Sequence, residues 1–272
     1  MSVESKSQPR HSLAIFGGYH PPNKGTLYRT STLLWLAGIA LLTVPMVTLV
    51  DVSVARWVAA HQPPREISDA LDIMRIVSHG WGIFLVMAAI MLMAPTRRWH
   101  IPRLVALAMG GGAVATLAKM FVLRPRPNSM NLDIASYDSA WLWAFDWNLE
   151  HIAAFDASTR AFPSSNLATA TALTVGLWLV LPRGRYLFAI VWCGAFLQRL
   201  NCGSHYISDL FGGTAFGLLW SYTCLHPKLL GSLFDKMQPE EDRRQRYRRD
   251  DDNASSDPPT ESDSEETEPI AA

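Results

Sequence analysis

Arg199, His205 and Asp209 make up the segment of this chain richest in reactive groups: a guanidinium, an imidazole six positions on, and a carboxylate one helical turn later. Upstream, Lys119 is followed after six residues by Arg126-Pro127, and Pro163-Ser164-Ser165 lies between the two segments. Together these groups suit cleavage of a phosphate ester. The ester's charge must be held by cations and backbone amides, and more charge grows on the leaving oxygen in the transition state. Arg126 and Arg199 each offer a forked pair of donors, and Lys119 a point charge. Ser164 suits a helix N-cap, which would aim the first-turn amides around Ser164 and Ser165 at an anion. Asp209, at i+4 from His205, can fix the imidazole tautomer and leave its other nitrogen free to attack phosphorus.

For that chemistry the three segments must meet, and the elements that carry them are apolar. The formal charge is zero overall, from 24 basic and 24 acidic residues, but charge is strongly segregated. Uncharged runs cover Thr30–Val50, Ile76–Thr96, Leu104–Ala118, Ala161–Pro182, Tyr186–Gln198 and Leu210–Pro227. Four of the six reach 18 residues, the length of a membrane helix. The two shorter runs stop at Lys119 and Arg199, charges that are costly at a span end and mark a site. The pattern predicts an all-α, integral-membrane bundle of six helices with polar termini. Residues 1–30 form a cytoplasmic leader, 31–226 the six-span unit and 227–272 a tail.

Lysine and arginine set the orientation. With the N-terminus inside, sixteen of the 24 basic residues fall on the cytoplasmic side and eight outside, which the positive-inside bias favours. Both termini are then cytoplasmic. Lys119 and Arg126 close the third span outside, Ser164 opens the fourth, Arg199 closes the fifth, and His205 stands at the entry to the sixth. All three segments surface on the same non-cytoplasmic face.

The remaining segments bound the function. The first outer connection carries an amphipathic stretch from Ile67 to Val77, expected to lie at the interface. The long connection 128–160 holds Trp141, Trp143, Phe145, Trp147 and Phe155, an aromatic anchor for the headgroup zone. Its acids, Asp146 among them, read as solvated loop charges. From Asp250 to Glu268 nine acids and no base accompany Ser, Pro and Thr, so that tail cannot bury a core and is expected to be disordered after the basic run Arg243–Arg249. Three cysteines show no metal-like spacing, and no Gly-rich nucleotide loop or basic nucleic-acid patch appears. A transporter would place its polar groups near the midplane, whereas these cluster at one face.

These residues resemble the type 2 phosphatidic acid phosphatase family, relatives of the vanadium haloperoxidases, in its membrane lipid-phosphatase branch. The family's first motif matches at Lys119, Arg126 and Pro127, and its third at Arg199, His205 and Asp209, with Gln198 in place of a serine. The resemblance implies that His205 is a nucleophile forming a phosphohistidine and that Asp209 orients it. Lys119, Arg126, Arg199 and the Ser164–Ser165 region would bind phosphate, with no metal or other cofactor. The expected substrate is a lipid phosphate or diphosphate in a membrane, and a bacterial inner membrane fits the layout. The second motif departs from the family: Asn166 stands where the family has the histidine that protonates the leaving oxygen. Asn cannot transfer a proton. Three explanations stay open: a diphosphate whose leaving group needs little protonation, His151 acting as the acid, or a protein that binds lipid phosphate without turning it over.

Overall fold

The computed structural model describes residues 30–136, 144–147 and 157–237. Among these are nine α-helices: α1 (Thr30–Thr48), α2 (Asp51–Ala60), α3 (Arg65–Met74), α4 (Gly80–Met93), α5 (Ile101–Met120), α6 (Ser165–Val180), α7 (Arg185–Asn201), α8 (Ile207–Leu225) and α9 (Ser232–Lys236). Two-residue strands β1 (Val122–Leu123) and β2 (Ala144–Phe145) pair antiparallel, Val122 opposite Phe145. The leader, the acidic tail, His151, Trp141, Trp143 and Phe155 lie outside the described residues.

The fold is all-α and that of an integral membrane protein. The six uncharged runs became α1 and α4 to α8, helices of 14 to 20 residues. By length and hydropathy, α1 and the segment Pro95–Met120 containing α5 are each long enough to cross a bilayer. The second run is not one helix. Arg65–Ser78 and Gly80–Met93 meet at a 74° bend, where His79 is extended (φ −113°, ψ 151°). Gly82 permits the fold-back, because a side chain there would collide with the Ile76 carbonyl. The connection from α1 to this bend is two short helices, α2 and α3, with Trp57, Ile67 and Ile73 exposed along them.

Helix α6 is the axis, packed against α5, α7 and α8. Its small residues Ala168, Thr169, Ala170, Thr171 and Ala172 are all buried. Because lipid tails are as apolar as leucine, close backbone approach rather than exclusion of water holds such helices together. Gly111 and Gly112 on α5, and Gly213 and Gly217 on α8, provide it. A methyl group at Gly217 would sit 2.6 Å from the Ala168 carbonyl oxygen. Gly217→Ala is expected to cost about 1–3 kcal/mol through overpacking, read as a lower melting midpoint in detergent. An unchanged midpoint would contradict the close α6–α8 contact.

Candidate active site

Three backbone connections bring the predicted segments to one place. After α5 the chain runs through β1 and hydrogen-bonds to the strand-like approach to α6: the Arg124 N–H donates to Thr159 at 2.7 Å, the Arg126 N–H to Ser158 at 2.9 Å, and the Ala161 N–H to Arg124 at 2.9 Å. The Asn128 N–H reaches the Gly203 carbonyl at 3.1 Å, joining the first segment to the turn before His205. That turn needs Gly203, whose φ of +61° is a left-handed conformation that a side chain disfavours. Finally, the Ser164 N–H donates to the Asp209 carbonyl at 3.1 Å, joining α6 to the first turn of α8. Side chains reinforce the cage. Arg160 donates to the carbonyls of Lys119 at 3.1 Å and Met120 at 2.6 Å, a cation on the carbonyl end of α5. Asp146 is no solvated loop acid: it is buried and lies 3.7 Å from Arg160, because β2 carries it under the end of α5.

Within this cage Lys119, Ser164, Arg199, His205 and Asp209 are buried, while Arg126, Ser165 and Asn166 are half-buried. Lys119 sits in the last turn of α5, Arg199 in the last turn of α7, and His205 in the turn before α8. Their charges act on one another: Arg126, Asp209 and Arg199 on Lys119, and Lys119, Arg126 and Asp209 on His205. Ser164 occupies the N-cap position of α6, but its hydroxyl makes no capping bond. Arg126 Nε, Ser164 Oγ, Arg199 Nη2 and His205 Nδ1 are among the buried side-chain polar atoms without a hydrogen-bond partner in the described residues. Buried polar atoms are normally paired. Arg126 Nε, Ser164 Oγ and Arg199 Nη2, one from each of three converging segments, suit an anion that accepts hydrogen bonds, while His205 Nδ1 faces Asp209.

His205 Nδ1 lies 3.7 Å from Asp209 Oδ2, beyond hydrogen-bond length. Burial pushes the imidazole down to about 4, outweighing the pull of Asp209, and the charges of Lys119 and Arg126 add to the depression. His205 is therefore neutral, and nucleophilic, through the physiological range. Since the unfolded chain binds the extra proton between about pH 4 and the ordinary value of 6.5, this residue's burial lowers stability as pH falls through that window. The acid limb of the rate profile is expected below pH 6.5 for the same reason, and a limb above that value in initial-rate measurements would contradict a neutral buried His205.

Sequence reasoning did not find the buried ions behind this site. Arg124 and Asp51 belong to none of the three segments, yet both are 1% exposed and pair at 2.6 Å. Gln198, at the position where a serine was expected, is buried and donates to Asp72 at 2.8 Å, fixing α7 to α3 beside Arg199. A second imidazole, His79, stands in the field of Arg199 and Arg75.

Comparison with known proteins bears on the fold and family. Residues 99–228 match the model of the PAP2 superfamily. The crystal structure of a transmembrane PAP2-type phosphatidylglycerolphosphate phosphatase from Bacillus subtilis superposes with a TM-score of 0.51 at 16% identity, covering 78% of this chain and 98% of that one. At that identity the likeness is one of fold. No curated protein matches the chain in sequence.

Proposed function

Through residues 99–228 the chain belongs to the PAP2 superfamily, and on that premise we propose that it removes phosphate from a lipid phosphate or lipid diphosphate at the non-cytoplasmic face of a membrane. The observation that carries the proposal is the buried His205 in the field of Lys119 and Arg126, with Arg199 acting on Lys119 and with Arg126 Nε, Ser164 Oγ and Arg199 Nη2 buried and unpaired. In this reading Lys119, Arg126, Arg199 and the first-turn amides beginning at Ser164 and Ser165 hold the phosphoryl oxygens. His205 attacks phosphorus, the bond to the leaving oxygen breaks, and water then attacks the phosphohistidine to release inorganic phosphate. Asp209 stabilises the imidazolium that forms. A cavity of about 190 Å³ between α2 and the turn Cys202–Ile207 reaches His205. Val54, Ala55, Val58 and Ala59 line one side of it, an apolar wall that suits hydrocarbon beside the reacting headgroup.

The proposal keeps the layout of residues 31–226 as six spans, with both termini in the cytoplasm and a bacterial inner membrane as the setting. A second reading has one residue in its favour. Asn166 opens no route for proton transfer to the leaving oxygen, so the same site would bind lipid phosphate without turnover.

Phosphate release by detergent-purified protein, with a chelator in place of divalent metal, separates the two. Phosphatidic acid, phosphatidylglycerophosphate and a polyprenyl diphosphate form the panel. Release from at least one is expected. Silence across the panel, with vanadate still raising the melting midpoint, would leave the binding reading standing and remove the enzymatic one.

A further inference from the structure

Asp209 is placed to serve His205, yet its oxygens are engaged elsewhere. Oδ1 forms a close ion pair with Arg124 Nη1, and Oδ2 accepts the Tyr206 N–H at 2.9 Å. Arg124 is held on every side. Nη1 also donates to Ser208 Oγ at 2.7 Å, Nη2 donates to Asp51 Oδ2 at 2.6 Å, and the guanidinium carbon lies 4.6 Å from the centre of the Tyr206 ring. Asp51 closes the circuit by accepting the Ser208 N–H at 3.1 Å and, in a short contact, the Ser208 hydroxyl. Asp51, Arg124, Ser208 and Asp209 are each at most 1% exposed.

We infer that Arg124 is the positioning residue of the His205–Asp209 pair: it fixes Asp209 in the wall of the site and shares its negative charge, so that His205 meets the phosphorus as a neutral nucleophile. Asp51 and Ser208 fix Arg124 in turn. The inference rests on the phosphatase reading of the same site.

Electrostatics gives the reason. An unshared carboxylate within about 4–6 Å typically raises a partner's proton affinity by about one to three pH units. Here that pull is divided. The groups that bear on His205 directly are Asp209 from α8, Lys119 from α5 and Arg126 from the segment after β1; Arg124 of that segment, held by Asp51 at the start of α2, bears on Asp209. Burial, opposed chiefly by Arg124, also pushes the Asp51 carboxyl above the usual carboxylate range, so Asp51 competes only partly for the guanidinium. Were Arg124 uncharged, Asp209 would face His205 with its full charge. The imidazole would then be protonated over part of the working range and unable to attack.

The test measures the His205 titration by nitrogen-15 histidine NMR of the full chain in detergent, its resonance identified by its loss in His205→Ala. Asp51→Asn combined with Arg124→Gln removes one anion and one cation together, leaving the buried charge balance unaltered. The expected result is a His205 midpoint raised by about one unit or more, with kcat lowered about 10- to 100-fold, KM within about twofold, and vanadate still bound. In Arg124→Lys, which keeps the charge and loses the fork, the midpoint stays low while kcat falls. A wild-type midpoint in the double variant, or wild-type kcat in Arg124→Lys, overturns the inference. Absence of phosphate release by the unaltered protein would instead remove the phosphatase reading, and the NMR midpoint would still decide what Arg124 does to His205.

Discussion

His205→Ala is expected to abolish phosphate release, by at least about 10⁴-fold, or roughly 5.5 kcal/mol of transition-state stabilisation. The loss is this large because the proposed intermediate is covalent: without the imidazole, water must attack an ester that Lys119, Arg126 and Arg199 hold but do not activate. Those cations remain in the variant, so substrate binding should weaken far less than turnover. Rapidly quenched reactions with radiolabelled lipid phosphate supply the second readout. Wild-type protein should retain label in an acid-labile, base-stable linkage, and His205→Ala should retain none. A variant that turned over substrate at the wild-type rate would show that His205 is only a buried packing residue.

Asn166→His is expected to raise turnover, and the size of the gain identifies the leaving group. General acid catalysis typically contributes about 10²- to 10⁴-fold. A monoester such as phosphatidic acid expels an alkoxide, which needs a proton, so its hydrolysis should gain about a hundredfold or more. A diphosphate expels a phosphate monoester, far less basic, and should gain little. Asn166 lies half-buried in the first turn of α6, one turn before the tightly packed Ala170. Comparing kcat for the two substrate types in wild type and variant gives the answer. An unchanged kcat for both would mean that the leaving oxygen takes its proton from elsewhere.

The sequence revealed the bundle and the reactive groups because both leave marks that survive without coordinates. Runs of uncharged residues reach membrane length, and the spacing Arg199, His205, Asp209 puts an imidazole and a carboxylate one turn apart on a helix start. What it hid was pairing over distance. Arg124 and Asp51 are 73 positions apart; each looks like a solvated loop charge until β1 and the first turn of α2 are seen to bury them together. Asp146 was misread for the same reason, its burial depending on a two-residue strand too short to show any alternation. The bend at His79 was equally invisible, since hydropathy averages over a window and does not register one extended residue next to a glycine.

The paired outer helices bear on how rates must be expressed. Trp57 on α2 and Ile67 and Ile73 on α3 stand exposed, and α2 also contributes Val54, Ala55 and Val58 to the wall of the cavity that reaches His205. Side chains of that kind settle among lipid headgroups. A substrate anchored in the same leaflet then arrives by lateral diffusion in two dimensions. Its effective concentration is its mole fraction among the surrounding amphiphiles, and adding inert detergent or lipid slows turnover by surface dilution while the bulk concentration stays fixed.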